Sequence, residues 1–521
     1  MARNASKKLE QFLKVSSQFR LGDLDTEKCH PLTKNLSDLV QKDLPKAIEI
    51  LQKIDFDTIN RLEDYWAYIP EIGNSIRETF ESQGRVFICG CGATGRLALT
   101  IEKLWRDKFP QDQKEFADKV VSFMAGGDVA LIKSIENFED FPEYGARQLT
   151  DLGFSENDLL ISCTEGGETP FVIGATEKAL EISKRMPFFL YCNKDADLIK
   201  VALRSKKIID NKRVRKVNLF VGPMALSGST RLQATTIQML CVGLALLEFE
   251  NAAEEWEKLK RFFTSNRFSF LKNFVEKEDS LYREGKHLLY TTDKSLGITV
   301  LTDTTERAPT FNLNPFENFK DEFVSPSRIY LFFPKSTSSQ EAWADLLGRR
   351  PRTFHWKEVT DQTSAERLEG FDFSQNLLHL RRHLEELHES FYIYRNGSGF
   401  QLRLDNLDHQ LNLGECSPLI AHIILKILLN TLSTLVMGKR GRYRGNLMTW
   451  VRPSNNKLID RAIRYAQIIL KERGTSLSYK EVAMVCFNVL EKEQWNKSLV
   501  DEMVENLERR AKNPGSHLQF D

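Results

Sequence analysis

No excess of charge of either sign runs through the 521 residues: 73 Lys+Arg meet 72 Asp+Glu, a formal net charge of +1. That balance argues against a surface built around a nucleic acid or an anionic membrane. The eight cysteines are scattered without paired spacing. A chain this long needs no disulfide scaffold, so a reducing, cytoplasmic setting is expected. Cys89 and Cys91 are separated by one glycine, yet no second Cys or His pair of ligand spacing stands near, so no metal site is expected. His379 and His383, with His388 beyond, lie four apart on an expected helix but lack a metalloprotease glutamate, and read as a packed or solvated face. No cofactor is expected. The first residues, MARNASKKLEQFLKV, hold no apolar run long enough for a secretory signal. One long apolar run exists, SPLIAHIILKILLNTLSTLVMGK (Ser417 to Lys439), and His422, Lys426 and Asn430 interrupt it. A buried core helix is therefore expected there rather than a membrane span. Low-complexity linkers are absent too, so the roughly three domains that the length implies should pack closely.

What is present is an alternation. From Arg85 the order is strand, turn, helix, repeated: RVFICG and a helix from near Arg96, VVSFMAGG and DVALIKSIENFED, DLLISC and the helix FVIGATEKALEISKRM, then PFFLYC. Such alternation predicts a parallel sheet covered on both faces. After LFVGPMALSGST a long helix runs to about Glu248, closing this unit. A second stretch of similar kind holds HLLYTTD, GITVLTDTTE and RIYLFFPKSTSSQEAWADLLG, and FYIYRNGSGFQLRL reads as a hairpin around Asn-Gly. Beyond Gly445 the chain is mostly helical, clearest in NKLIDRAIRYAQIILKER and SYKEVAMVCFNVLEKE.

Three turns carry the chemistry. In GCGATGR, Gly90, Gly92 and Gly95 allow positive φ and close backbone approach, the next helix offers free N–H groups, and Thr94 adds a hydroxyl. The spacing G-x-G-x-x-G also fits a dinucleotide fingerprint, although the acidic residue about 20 positions on is missing. TEGGETP, Thr164 to Pro170, with Gly166 and Gly167, ends another strand. LSGSTR, with Ser229, precedes a third helix. Neighbouring parallel strands ending in such turns face one crevice. A phosphorylated small molecule is the natural guest.

LDTEKCHPLTKNL (Leu24–Leu36), GCGATGR, AGGDVALIKSIENFED, VGPMALSGSTR and GNLMTWVRPSNNKLIDRA together resemble, in order, the family that joins bacterial N-acetylmuramic acid 6-phosphate etherases and animal glucokinase regulatory proteins. Both are built on sugar isomerase (SIS) domains. The resemblance implies two tandem SIS domains, α/β with doubly wound, mainly parallel sheets, and a C-terminal helical lid. Expected bounds are 1–50 for a segment packed on the first domain, 51–255 and 256–445 for the two domains, and 446–521 for the lid. Tandem domains imply a monomer whose halves mimic a dimer.

The etherases use two glutamates to eliminate lactate. At the first, in their D-A-S-E segment, this chain has Leu104; the second matches Glu139. Glu102 is two residues from Leu104, roughly 200° around a helix, so it is no direct substitute. The regulatory proteins also lack the first glutamate, and by motif position their sugar-phosphate contacts fall on Thr94, Glu139, Thr164, Gly166 and Lys457. The resemblance thus implies a non-catalytic receptor for a fructose phosphate-like sugar that controls a partner, a sugar kinase by analogy. The alternative is a phosphosugar lyase or isomerase with Glu139 as the surviving acid/base. Gly92, Gly95, Gly167 and Ser229 complete the expected ligand contacts. Departures from the pattern are Met224 and Gln233, for a glutamate and a lysine, and the charged Glu165 and Glu168 in TEGGETP.

Overall fold

Runs of buried residues too short for helices build the first sheet of the computed structural model, which describes residues 2–109, 111–135, 138–322, 325–453, 455–491 and 497–512. Its strands are β1 (Val86–Gly90), β2 (Val120–Met124), β3 (Leu159–Cys163), β4 (Phe188–Tyr191) and β5 (Arg215–Asn218). All pair in parallel, in the order β2-β1-β3-β4-β5. β1 to β4 are buried at every residue, as helices on both faces require. The covering helices include Ala93–Arg106, Pro170–Ile182 and Gln233–Leu247, the last buried along its whole length.

Two local readings are corrected here. β5 is absent from the sequence pattern because an edge strand reading Arg-Lys-Val-Asn has only one fully buried position. The helix expected in DVALIKSIENFED is replaced by two short 3-10 turns, Asp128–Leu131 and Phe138–Asp140, with residues 136–137 outside the described part. Every residue from Asp128 to Ile132 is buried, with Ile135 and Phe138 beyond. A segment buried on all sides has no exposed face to complete a helical stripe, and the Asp128 side chain is taken by Arg349 and by the Arg352 N–H.

The second sheet has the order β10-β9-β8-β6-β7. β6 (His287–Thr291) pairs in parallel with β7 (Ile329–Phe332) and β8 (His388–Asn396). The expected hairpin turns at Gly397, φ +55°, into β9 (Gly399–Leu404), and β10 (Leu407–Asn412) extends the antiparallel edge. His379 and His383 do not share a helix: Asn376–Leu380 ends between them and a 3-10 stretch, Arg382–Leu387, follows.

Helices Gly297–Phe311 and Pro418–Lys439 of the second unit pack on Ala93–Arg106 and Gln233–Leu247 of the first. Pro418–Lys439 is the apolar run noted above. It is long and apolar enough to cross a membrane, yet its apolar window is wholly buried within the protein. Its polar residues have interior partners. Lys426 Nζ donates to the Arg231 and Leu232 carbonyls and to the Thr236 hydroxyl, Asn430 donates to the Arg231 carbonyl, and His422 meets Thr299. A second joint is ionic. Arg349 and Arg352, on a loop of the second unit, both reach Glu102, and Arg349 also pairs with Asp128 at 2.6 Å. Four residues on, Trp356 stacks on Phe138 with ring centroids 5.7 Å apart, and Phe354 lies beside both.

Three helices close the chain, Asn456–Glu472, Tyr479–Leu490 and Leu499–Lys512, and pack on one another. Ala2–Val15 lies against the second of them. Of the expected lid, residues 513–521 fall outside the described residues.

Candidate functional site

A parallel sheet ordered β2-β1-β3-β4-β5 reverses direction between β1 and β3, and ligands of such sheets sit in the crevice beyond the strand ends at that point. The glycine turn leaves β1 there, and TEGGETP leaves β3. Gly92 has φ +53° with open space where a Cβ would stand, and a Cβ at Gly95 would come within 2.4 Å of the Met124 side chain. The first position needs glycine for its backbone, the second for helix–sheet contact. Gly167, φ +78°, is wedged against Leu198 and Tyr191, whereas Gly166 lies at the half-exposed surface of its turn.

Both threonines are fully buried, with their hydroxyls used by their own turns. Thr94 accepts from the Cys91 N–H and donates to the Cys91 carbonyl, each at 3.0 Å. Thr164 lies 3.1 Å from the Thr169 hydroxyl and accepts from the Gly167 N–H. They set the shape of the turns.

Glu139 and Lys457 meet, although 318 positions separate them: the Lys457 ammonium is 3.4 Å from Glu139 and 3.9 Å from Glu168. Asn455 caps the lid helix by accepting from the Leu458 N–H at 2.9 Å, and its amide nitrogen donates to Glu139 at 2.6 Å. One side chain thus starts the helix and holds the site. The Cys91 thiol donates to the other Glu139 oxygen at 2.8 Å. Burial pushes the Glu139 carboxyl up, but Lys457 and the Cys91 hydrogen bond, with Arg461 behind, outweigh it and hold the group below the ordinary carboxylate range. Burial would lower Lys457; Glu139 and Glu168 more than reverse that, so it stays charged. The Cys91 thiol is raised by burial and by Glu139, and is not a nucleophile at neutral pH.

The two acidic departures in TEGGETP part company. Glu168 is paired with Arg204 as well as Lys457. Glu165 accepts from the Thr230 hydroxyl at 3.2 Å, which joins the second turn to the third, and burial pushes its carboxyl up to about 7. Ser229, in that third turn, is buried with no hydrogen-bond partner for its hydroxyl. Met224 and Gln233 are buried as well, and Gln233 spans the Ala225 N–H and the Pro223 carbonyl, a structural bond in place of a charge.

Lys457 has a firm base. Arg461, one turn on, and Arg464 both pair with buried Glu27 of the LDTEKCHPL segment, at 2.6 and 3.0 Å. Burial raises Glu27, and the two arginines outweigh that and bring it to about 2. Leu104 is buried, and Glu102 is committed to Arg106, Arg349 and Arg352. Neither supplies a free carboxylate to the crevice.

The sequence reading missed Asn455, Cys91 and Arg204. Asn before an amphipathic helix is a capping signal that could have found the first; nothing local marks the others. No group of three or more His, Cys, Asp or Glu placed to hold a metal occurs among the described residues.

Residues 69–180 match the family model described as the glucokinase regulatory protein N-terminal SIS domain. The chain is similar to the N-acetylmuramic acid 6-phosphate etherase of Aliivibrio fischeri (strain ATCC 700601 / ES114), 31% identical over 224 residues, 40% of this chain and 69% of that protein. It is likewise similar to the etherase of Lactococcus lactis subsp. cremoris (strain SK11), 32% identical over 224 residues, 43% and 69%. Among solved structures, a phosphoheptose isomerase from Neisseria gonorrhoeae aligns at 14% identity over 36% of this chain and 90% of that one, with a TM-score of 0.26.

Proposed function

The chain belongs to the SIS-domain family of N-acetylmuramic acid 6-phosphate etherases and glucokinase regulatory proteins, and from that premise we propose that it binds a phosphorylated sugar in the crevice between β1 and β3, closed by the C-terminal helices. The observation that carries this is Lys457, brought from the lid to Glu139 in the segment after β2 and to Glu168 in the turn after β3. In this reading the turn amides of Gly92, Ala93, Gly95 and Gly166, and the start of the helix Pro170–Ile182, receive the phosphate. Thr94 and Thr164 keep those turns in shape. Glu139 accepts from sugar hydroxyls while Lys457 supplies the cation.

We take ligand binding without the etherase elimination as the first reading, because Leu104 stands where a base is needed and Glu102 is tied up. Losing one of two acid/base groups removes orders of magnitude of rate. A ligand touching both lid and sheet favours the arrangement in which they meet, so binding would be legible to a partner; the resemblance suggests a sugar kinase. The second reading is a phosphosugar lyase or isomerase, which the names of the relatives favour over a kinase regulator, with the ionised Glu139 as its base. Incubation with N-acetylmuramic acid 6-phosphate separates the two. No lactate at an enzymatic rate is expected; multiple turnovers abolished by Glu139→Gln would establish the lyase. Binding itself is tested by thermal shift with hexose phosphates, since a ligand at 100 times its Kd adds roughly 2.7 kcal/mol of stability.

A further inference from the structure

Four carboxylates, Glu139, Asp140, Glu165 and Glu168, stand around Lys457 at the crevice. Two are paired: Glu139 holds Lys457, Asn455 and Cys91, and Glu168 is paired with Arg204. Asp140 is half-exposed beside Glu139, with its Oδ2 buried and unbonded. Glu165 is the more deeply buried of the other two: it is 8% exposed, accepts from the Thr230 hydroxyl and from its own backbone N–H, and among the described residues has no ion-pair partner. The charges facing it are Lys457 from the lid helix, too far for a pair, and Glu306 from the second unit, which opposes its ionisation. The thiols of Cys91, Cys163 and Cys192 nearby are all held protonated by burial. In the turn that supplies the Thr230 hydrogen bond, Ser229 Oγ is buried without a partner. A buried carboxylate without a cation, bonded to a turn that holds an unused hydroxyl, is the complement of a donor that carries positive charge.

We propose that the phosphorylated sugar bound here carries a protonated amine, received by Glu165 and the Ser229 hydroxyl: the ligand class is an amino-sugar phosphate. This rests on the phosphosugar reading and narrows it. A neutral sugar would bring a phosphate dianion into the crevice and give Glu165 no cation of its own, so its complex favours the protonated carboxyl. An ammonium reverses the linkage. It holds Glu165 ionised, and binding then releases the proton that the free site carries.

Calorimetric titration of the full chain with glucosamine 6-phosphate, glucose 6-phosphate and N-acetylglucosamine 6-phosphate, at pH 6.0 and 7.0, tests this below the range of about 7.7–8.0 where such an amine loses its own proton. The second ionisation of the phosphate, near pH 6, is common to the three sugars and cancels in the ratio of their affinities. Glucosamine 6-phosphate is expected to bind roughly 10–100-fold tighter than the other two at pH 7.0, the range of a charge-assisted bond. That preference should grow from pH 6.0 to pH 7.0. Glu165→Gln should bring the three within about twofold and remove the pH dependence of the preference. Equal affinities in the wild type, or a preference that survives Glu165→Gln, overturn the amine and leave the phosphosugar reading standing. Failure of all three sugars to bind overturns both.

Discussion

Lys457→Met keeps the aliphatic stem and deletes the charge at the centre of the site. At 3.4 Å from Glu139 and 3.9 Å from Glu168, the gross attractions at an effective dielectric of 20 are about 5 and about 4 kcal/mol. Desolvation of the three groups offsets most of this. Both carboxylates also keep other donors, Asn455 and Cys91 on one and Arg204 on the other. The net loss at pH 8 is then about 1–3 kcal/mol, the worth of hydrogen bonds to charged groups. The pH dependence distinguishes this origin from lost packing. In the wild type the Glu139 carboxyl is held low, so its contribution is present above roughly pH 4.3 and is lost as the pH falls through the folded value. Without Lys457, burial dominates, the folded value rises above the unfolded one, and the same carboxyl opposes folding as the pH rises. Urea melts of both proteins at pH 5 and pH 8 should therefore show a deficit at pH 8 that shrinks by about half or more at pH 5. A deficit equal at the two pH values would refute the ion pair as its source.

Glu102→Ala removes the shared partner of Arg106, Arg349 and Arg352 and should cost about 3–5 kcal/mol in a denaturant melt; a loss under about 1 kcal/mol would mean that the loop does not anchor the units. Trp356→Ala opens the aromatic cluster under Phe138, with an expected cost of about 3–5 kcal/mol. Because Phe138 precedes Glu139, calorimetry should also show weaker phosphosugar binding, restored in Trp356→Phe. Thr94→Val loses both bonds to Cys91 and should lower stability and binding together by about 1–3 kcal/mol, while Thr94→Ser retains them. A valine variant that binds normally would place the ligand away from this turn.

β1 to β4 of the first sheet were legible because they are nearly continuous apolar runs, the first three with glycine at their end or within three residues of it, and the three turns were legible by composition. The helical lid and the buried helix Pro418–Lys439 also stood out, the former by periodicity and the latter by the polar residues that interrupt it. Arg349 and Arg352 were not. Their partner Glu102 lies 247 and 250 positions away, and an ion pair of that reach leaves no local trace. Neither does the direction of a hydroxyl: Thr94 and Thr164 were expected to face the ligand, and the same residue types serve equally well folded back into their turns. The segment after β2 misled because its apolar residues suit a helix as well as a wrapped chain, and it is the ion pairs of Asp128 with a distant loop that hold it.

The loop carrying Arg349 and Arg352 bears on whether the ligand-binding half can exist alone. A fragment ending near residue 255 would retain the whole first sheet and every turn around the crevice. It would also keep Glu102 with Arg106 as its one remaining guanidinium, and leave Asp128 without the arginine and the backbone N–H of Arg352 that now satisfy it. Trp356 would no longer support the segment that presents Glu139. The two units are modules by topology and not by autonomy. Neutral residues in place of Glu102 and Asp128 would relieve the first half of its uncompensated charges but not return Lys457 to the crevice, so its ligand is to be studied with the chain whole.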